Sequence, residues 1–191
     1  MTCASLEEYL AAVNGVFGLY YDSQRGFQLV FEEAERVRQF ALHKFHKATP
    51  EKLDATTVLY SRGLPSDPRY MPLHTVTQAD LRARNRQDGF NSKMLGNMCL
   101  VMIFEYWETE YRRRIADELR ISKDALMVDT IGDIRLFRNS ILHHSAVALP
   151  NIVNCRKFKW FSPGDIIAVS RAQMEEVVGT LVTDLRAACV A

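Results

Sequence analysis

Between Met94 and Trp107 the chain is almost continuously apolar, with Asn97 and Glu105 as the conspicuous interruptions. The run is too short to cross a bilayer, which takes about 20 apolar residues. Read as a helix it is greasy on nearly every side (Leu95, Met98, Leu100, Val101, Met102, Ile103, Phe104), and such a helix is satisfied only when buried in a core. Ser92 opens this helix, and a charged, amphipathic second half carries it to about Leu119. A central helix of this kind calls for other helices around it, so the expected fold class is mainly all-α, a helical bundle with room for a few short strands.

The rest of the chain supplies those helices. Ser5, with Glu8 three residues on, forms a capping box for a first helix ending near Val13. Gly15 and Gly18 loosen the pattern around Phe17, Leu19, Tyr20 and Tyr21, and a second helix is expected from about Gly26 to Lys47. Pro50, Pro65, Pro68 and Pro72 then mark a long connection, with a short strand at Thr56–Tyr60. This connection divides residues 1–72, an N-terminal helical extension, from a core of residues 73–191. Thr77 caps a short helix to Arg86, and Asp88-Gly89 turns the chain. Thr130, with Asp133 three residues on, caps a helix from Ile131 to about Ala146. Irregular chain follows, with strands at Arg156–Phe161 and Ile166–Val169, and Ser170 with Gln173 starts a last helix to about Ala188.

A length of 191 residues suits one domain or a domain with an extension. The hydrophobic share of 48% and charged share of 25% are those of a globular chain. With a net charge of +1, binding to nucleic acid has to come from local patches. Cys3, Cys99, Cys155 and Cys189 include no CxxC pair, which argues for reduced thiols and against a disulfide scaffold or zinc knuckle. Glu7 and Glu8 interrupt the start where a secretion signal needs an apolar stretch, so a cytoplasmic protein without a membrane segment is expected.

The helix from Ile131 gathers Ile131, Ile134, Phe137, Ile141 and Leu142 on one face, and Arg138 projects from the middle of it. A guanidinium stays charged, so there it needs an acidic partner, a phosphate or an interface. Glu105, equally out of place among Met98, Val101 and Met102, is the natural partner, and a purely structural ion pair is one reading of the two. The other reading is chemical. Asn139 and His143 stand four apart on a common face, and His144 follows at once. An Arg for phosphate, an amide for orientation and a His for proton transfer suit phosphodiester cleavage. On a straight helix, however, Arg138 and His143 point about 140° apart. They converge if the Arg curls round, if the helix is irregular, or if two chains pair about a two-fold axis. The last is preferred here, because an Arg on an apolar stripe fits a symmetric interface with a cleft.

The stretch Asp133-Ile-Arg-Leu-Phe-Arg138-Asn139-Ser-Ile-Leu-His143-His144 resembles the signature of HEPN domains, an Arg, a polar residue and a His after four to six positions. The preceding segment, Phe104-Glu105-Tyr-Trp107-Glu108-Thr-Glu-Tyr111-Arg112, is similar to that family's second core helix, which often carries an acidic residue facing the site. The resemblance covers roughly Asn91 to Ala146. It implies a compact helical bundle that dimerises and gathers two Arg–His sets in one cleft. Many such proteins are endoribonucleases of toxin–antitoxin, phage-defence and RNA-processing systems. In them the ribose 2′-hydroxyl attacks the adjacent phosphate without metal and leaves a cyclic phosphate. Carried across, the resemblance implies that Arg138 stabilises the phosphorane, Asn139 holds the phosphate or the His, and His143, or His144 in its place, transfers the proton. Some family members are inactive dimerisation or nucleotide-binding modules.

Basic clusters at Arg82-Ala-Arg84-Asn-Arg86, Arg112-Arg113-Arg114 and Arg156-Lys157-Phe158-Lys159-Trp160-Phe161 are candidate guides for RNA, together with Arg135. The last interleaves cations with rings, as single-stranded RNA favours, although an amphipathic segment with Phe158 and Trp160 turned inward explains it too. The Arg112 cluster also reads as a solvated face balanced by Glu108, Glu110 and Asp117. His43 and His46 have no third ligand nearby, and His74 has no assignable role. No phosphate loop, nucleophile elbow or zinc signature is present, and no cofactor is expected. The functional expectation is a homodimeric, metal-independent endoribonuclease acting on single-stranded RNA and held by an antitoxin or other regulatory protein. The alternative is a non-catalytic interaction or nucleotide-sensing module of the same fold.

Overall fold

The computed structural model describes residues 3–189. The fold is mainly helical and carries one two-stranded sheet. The described residues group into two compact units: those up to Asp22 with those from Lys93 on, and Ser23–Ser92. These units differ from the expected division at residue 72. The first helical residues belong with the bundle, and the Pro-rich connection belongs with a small unit of its own.

Helix α1 (Ala4–Lys44) runs for 41 residues without the break expected at Gly15 and Gly18. A helical glycine costs only about 1 kcal/mol relative to alanine. Tyr9, Val13, Val16 and Tyr20, spaced at helical intervals, are buried and carry the helix through. Ser5 does not act as the cap of a capping box. Its amide and hydroxyl both donate to the Glu118 carboxylate, the amide at 3.0 Å.

In the unit Ser23–Ser92, helix α2 (Pro50–Asp54) is capped by Thr49, and α3 (Gln78–Asn85) is capped by Thr77 as expected. The strand expected at Thr56–Tyr60 is β1 (Thr57–Arg62), paired antiparallel with β2 (Met71–Thr77). Pro72 argued against a strand at β2, since proline cannot donate to a ladder. The register shifts between Tyr60 and Ser61, and Ser61 is the residue opposite Pro72. Arg82 donates to Asp54 at 2.6 Å and pairs with Glu35 at 3.1 Å, while Arg38 reaches the same Asp54 oxygen at 2.8 Å. Asp88 takes a φ of 54° in the expected turn.

The larger unit is built on α4 (Phe90–Tyr106), a π-helical turn (Trp107–Tyr111) and α5 (Arg112–Leu119), which together replace the single helix expected to Leu119. Then come α6 (Asp129–His143) and α7 (Arg171–Ala188). Leu100, Ile103 and Trp107 form the centre of the core, against Tyr9, Ile134 and Phe137, and against Met174, Val177, Leu181 and Leu185 of α7. The α7 capping box of Ser170 and Gln173 is present as expected. Helix α4 is not buried on every side: Met94 and Met98 are 46% and 55% exposed, so one face stays open.

Two local expectations are corrected by where Asp133 and Thr130 point. The Thr130 hydroxyl donates to Asp184, and α6 begins at Asp129 after an uncapped Val128. Asp133, 2% exposed, accepts the backbone amides of Arg156, Lys157 and Phe158 at 2.7–2.8 Å. Those amides are thereby taken by a carboxylate, so Arg156–Phe161 is a tethered loop and not a strand. Ile166 forms only an isolated bridge to Val147. Among the described residues no helix is long and apolar enough to cross a membrane.

Candidate active site

Helix α6 ends at His143, and the way it ends shapes the site. Amides of His144 and Ala146 both donate to the Ser140 carbonyl, at 3.1 and 3.0 Å, which closes the last turn. The Ser140 hydroxyl in turn accepts the Leu149 amide at 3.2 Å. Ser145 and Ala146 have φ of 52° and 63°, the left-handed region that non-glycine residues rarely enter. The chain therefore leaves the helix sharply, and His143 stands exposed at its rim. Strained backbone of this sort concentrates at functional sites.

One turn and a half earlier, Arg138 is held in a fixed pose. Its Nε and Nη2 donate to Glu105 Oε1 at 2.9 and 2.7 Å. Its guanidinium carbon lies 5.8 Å from the centroid of the Phe104 ring, within cation–π range. That leaves Nη1, which donates to Asn139 Oδ1 at 3.2 Å and meets His143 Nε2 at 3.3 Å. Arg138 and His143 thus converge within one chain, through the length of the Arg side chain and the position of His143 at the helix end. A guanidinium has donors only, so in this arrangement Nε2 accepts and the imidazole proton sits on Nδ1. The exposures, 23% for Arg138 and 39% for Glu105, place the pair at the surface of the core and not sealed inside it.

Beside this set opens a cleft of ≈ 500 Å³. Phe104 and Trp107 contribute from α4 and the π turn, Met127 from the loop before α6, and Gly132 and Arg135 from α6 itself; Glu105, Arg138 and Asn139 line it too. A π turn in a helix recurs where a functional site distorts the backbone. The cleft is a feature that sequence reading missed, and the interruption of the long helix at Trp107 has no sequence signal of its own. Near the same cleft, Glu108 receives Lys123 Nζ at 2.6 Å and Arg112 Nη1 at 3.2 Å. Burial works against its charge, but the hydrogen bonds from Lys123 and Arg112 outweigh it and hold the carboxyl below the usual range.

The structure brings Glu105, Arg138, Asn139 and His143 together and leaves His144 apart. The His144 side chain is exposed and has no hydrogen-bond partner among the described residues. The basic clusters are largely committed elsewhere. Arg112 pairs with Glu108, and Arg114 pairs with Glu8 at 2.5 Å and Glu110 at 3.0 Å. Arg156 pairs with Asp129 at 2.7 Å, and Lys157 with Asp184 at 3.1 Å. Phe158 is buried, and half-buried Trp160 stacks on Phe158 and Phe137 with ring centroids 4.5 and 5.6 Å apart. These rings face the core, so the inward-turned reading of the segment holds and Trp160 offers no stacking platform. Arg135 and Lys159 are exposed and form no ion pair among the described residues. Among the described residues no group of three or more His, Cys, Asp or Glu is placed to hold a metal ion.

No family model, no curated protein and no solved structure matches this chain.

Proposed function

We propose that the chain is a metal-independent endoribonuclease of toxin or phage-defence type, cleaving RNA at the Arg138–His143 set. The observation that supports this reading is the convergence of Arg138 Nη1, Asn139 and His143 Nε2 within 3.3 Å on an exposed helix end. The resemblance to HEPN domains at the same residues adds to it. In the proposed step the scissile phosphate approaches the open edge of Arg138, and Nη1 turns from His143 to a phosphate oxygen. That frees Nε2, already without a proton, to take the proton of the ribose 2′-hydroxyl. The 2′-oxygen bonds to phosphorus, the bond from phosphorus to the 5′-oxygen breaks, and the departing oxygen takes a proton from water. A 2′,3′-cyclic phosphate remains. Arg138 meets the charge growing on the phosphorane, a role worth about 3 kcal/mol for one well-placed donor. Single-stranded RNA as substrate, a homodimer as the working form, a regulatory partner such as an antitoxin and a cytoplasmic location belong to the same proposal.

A second reading has its own support. Arg138 already satisfies two of its donor groups on Glu105, as a structural ion pair does, and the same fold then serves as a non-catalytic interaction or nucleotide-sensing module. Incubating purified protein with mixed RNA in excess EDTA separates the two. New ends carrying cyclic phosphate support the nuclease, and intact RNA supports the module.

A further inference from the structure

We infer that the cleft beside Arg138 is a binding site for one nucleobase bearing an exocyclic amino group, next to the phosphate held by Arg138. This inference rests on the proposed nuclease reading for its biological setting, but its geometry stands by itself. A volume of ≈ 500 Å³ is within the range of small-ligand sites, about 300–1,000 Å³. Its walls are the flat aromatic surface of Phe104 and Trp107 and the side chain of Met127, which is 76% exposed at the mouth. Aromatic and thioether groups of this kind pack well on the faces of bases.

Polar groups converge at its edge. Both Arg138 bonds to Glu105 fall on Oε1, so Oε2 has no hydrogen-bond partner among the described residues. A carboxylate oxygen only accepts, so it favours an amino group of guanine, adenine or cytosine and repels the carbonyl that uracil presents in the same place. Arg135 lines the cleft one turn before Arg138 with no acidic partner among the described residues. The two guanidinium groups are offset by about 4.5 Å along the helix, which suits contacts to the phosphate on either side of a bound nucleotide.

Gly132 adds an independent sign. It lies in the middle of α6, where glycine costs about 1 kcal/mol relative to alanine. A Cβ built there meets nothing within 4 Å, so packing does not require the glycine. What the missing side chain does is leave the cleft wall bare.

The test is direct binding of the four nucleoside 5′-monophosphates, followed by calorimetry, to the wild-type chain and to variants at Gly132 and Met127. The expected wild-type result is measurable binding of GMP, AMP and CMP, with UMP at least tenfold weaker. Gly132→Phe fills the cleft and should weaken binding at least tenfold, whereas Gly132→Ala should retain it. Should Gly132→Phe fail to fold, Met127→Glu places a negative charge at the exposed mouth and should weaken the anionic nucleotides by a similar factor. Equal binding of all four nucleotides, or binding unaffected by both blocking variants, overturns the inference. RNA cleavage in EDTA together with no nucleotide binding overturns it while the nuclease reading survives. Base-selective binding without any RNA cleavage supports it while the nuclease reading fails.

Discussion

Arg138 places two donors on a single oxygen of Glu105, at 2.9 and 2.7 Å, and so keeps its third nitrogen turned toward Asn139 and His143. The carboxylate acts as a rudder for the guanidinium. Because Glu105 is 39% exposed, the pair contributes on the order of 1 kcal/mol or less to stability. Glu105→Ala is therefore expected to lower RNA cleavage by about 10²-fold through misplacement of Arg138, while unfolding free energy falls by about 1 kcal/mol or less. Cleavage kinetics beside a denaturant titration check both halves. A large loss of stability would mark the pair as structural.

Asp133 carries a different weight. It is buried and accepts three backbone amides from the loop Arg156–Phe158, so its removal strands three donors at once. Asp133→Ala is expected to destabilise the protein by about 3 kcal/mol or more, because each amide left unpaired in the interior costs about 1–3 kcal/mol. Urea titration of the variant measures it.

The contrast between these two carboxylates shows what the chain discloses before it folds. Glu105 was legible because it is a charge among Met98, Val101 and Met102, and Arg138 was legible for the same reason on α6. Each misplaced charge predicted the other, and they meet. Helix periodicity likewise disclosed the mainly helical fold and the capped starts of α3 and α7. Asp133 was read as part of a helix cap, since Thr130 precedes it at capping distance; only the long-range loop shows that its oxygens are spent on residues 156–158. Gly15 and Gly18 suggested a break in α1 that burial of Tyr9, Val16 and Tyr20 overrides. The cleft depends on the Leu126–Val128 loop facing the π turn, a tertiary relation with no local pattern.

Acid sensitivity follows from two carboxylates. Hydrogen bonds from Lys123 and Arg112, against opposing burial, hold Glu108 below its usual 4.5, and the bond from Ser5 at the start of α1 holds Glu118 below 4.5 as well. A carboxyl with a lowered native pKa binds fewer protons folded than unfolded, so its stabilising effect is complete above about pH 4.5 and is lost as pH falls through the native value. The doubly substituted Glu108→Gln, Glu118→Gln protein should be less stable at neutral pH and should lose less on acidification below pH 4.5. Denaturant midpoints at pH 7, 5, 4 and 3 give the comparison.

The sharp exit after His143 is a further handle. Ser145 is exposed and holds a φ of 52°, a conformation that costs an L-residue about 1–2 kcal/mol and glycine little. After the extra chain entropy of glycine is subtracted, Ser145→Gly should stabilise the protein by about 0.5–1 kcal/mol. Thermal melting detects a gain of that size. If cleavage falls while stability rises, the strained turn serves to position His143.

The most direct measurement is cleavage of a single-stranded RNA by His143→Ala beside the wild-type chain, both in excess EDTA. The exposed imidazole contributes little to packing, so the variant should match the wild type in stability to within about 0.5 kcal/mol. Its cleavage rate should fall by at least about 10²-fold, the usual effect of removing a positioned proton-transfer group. A His143→Ala protein that cuts at the wild-type rate, or a wild-type protein that cuts nothing, would contradict the account.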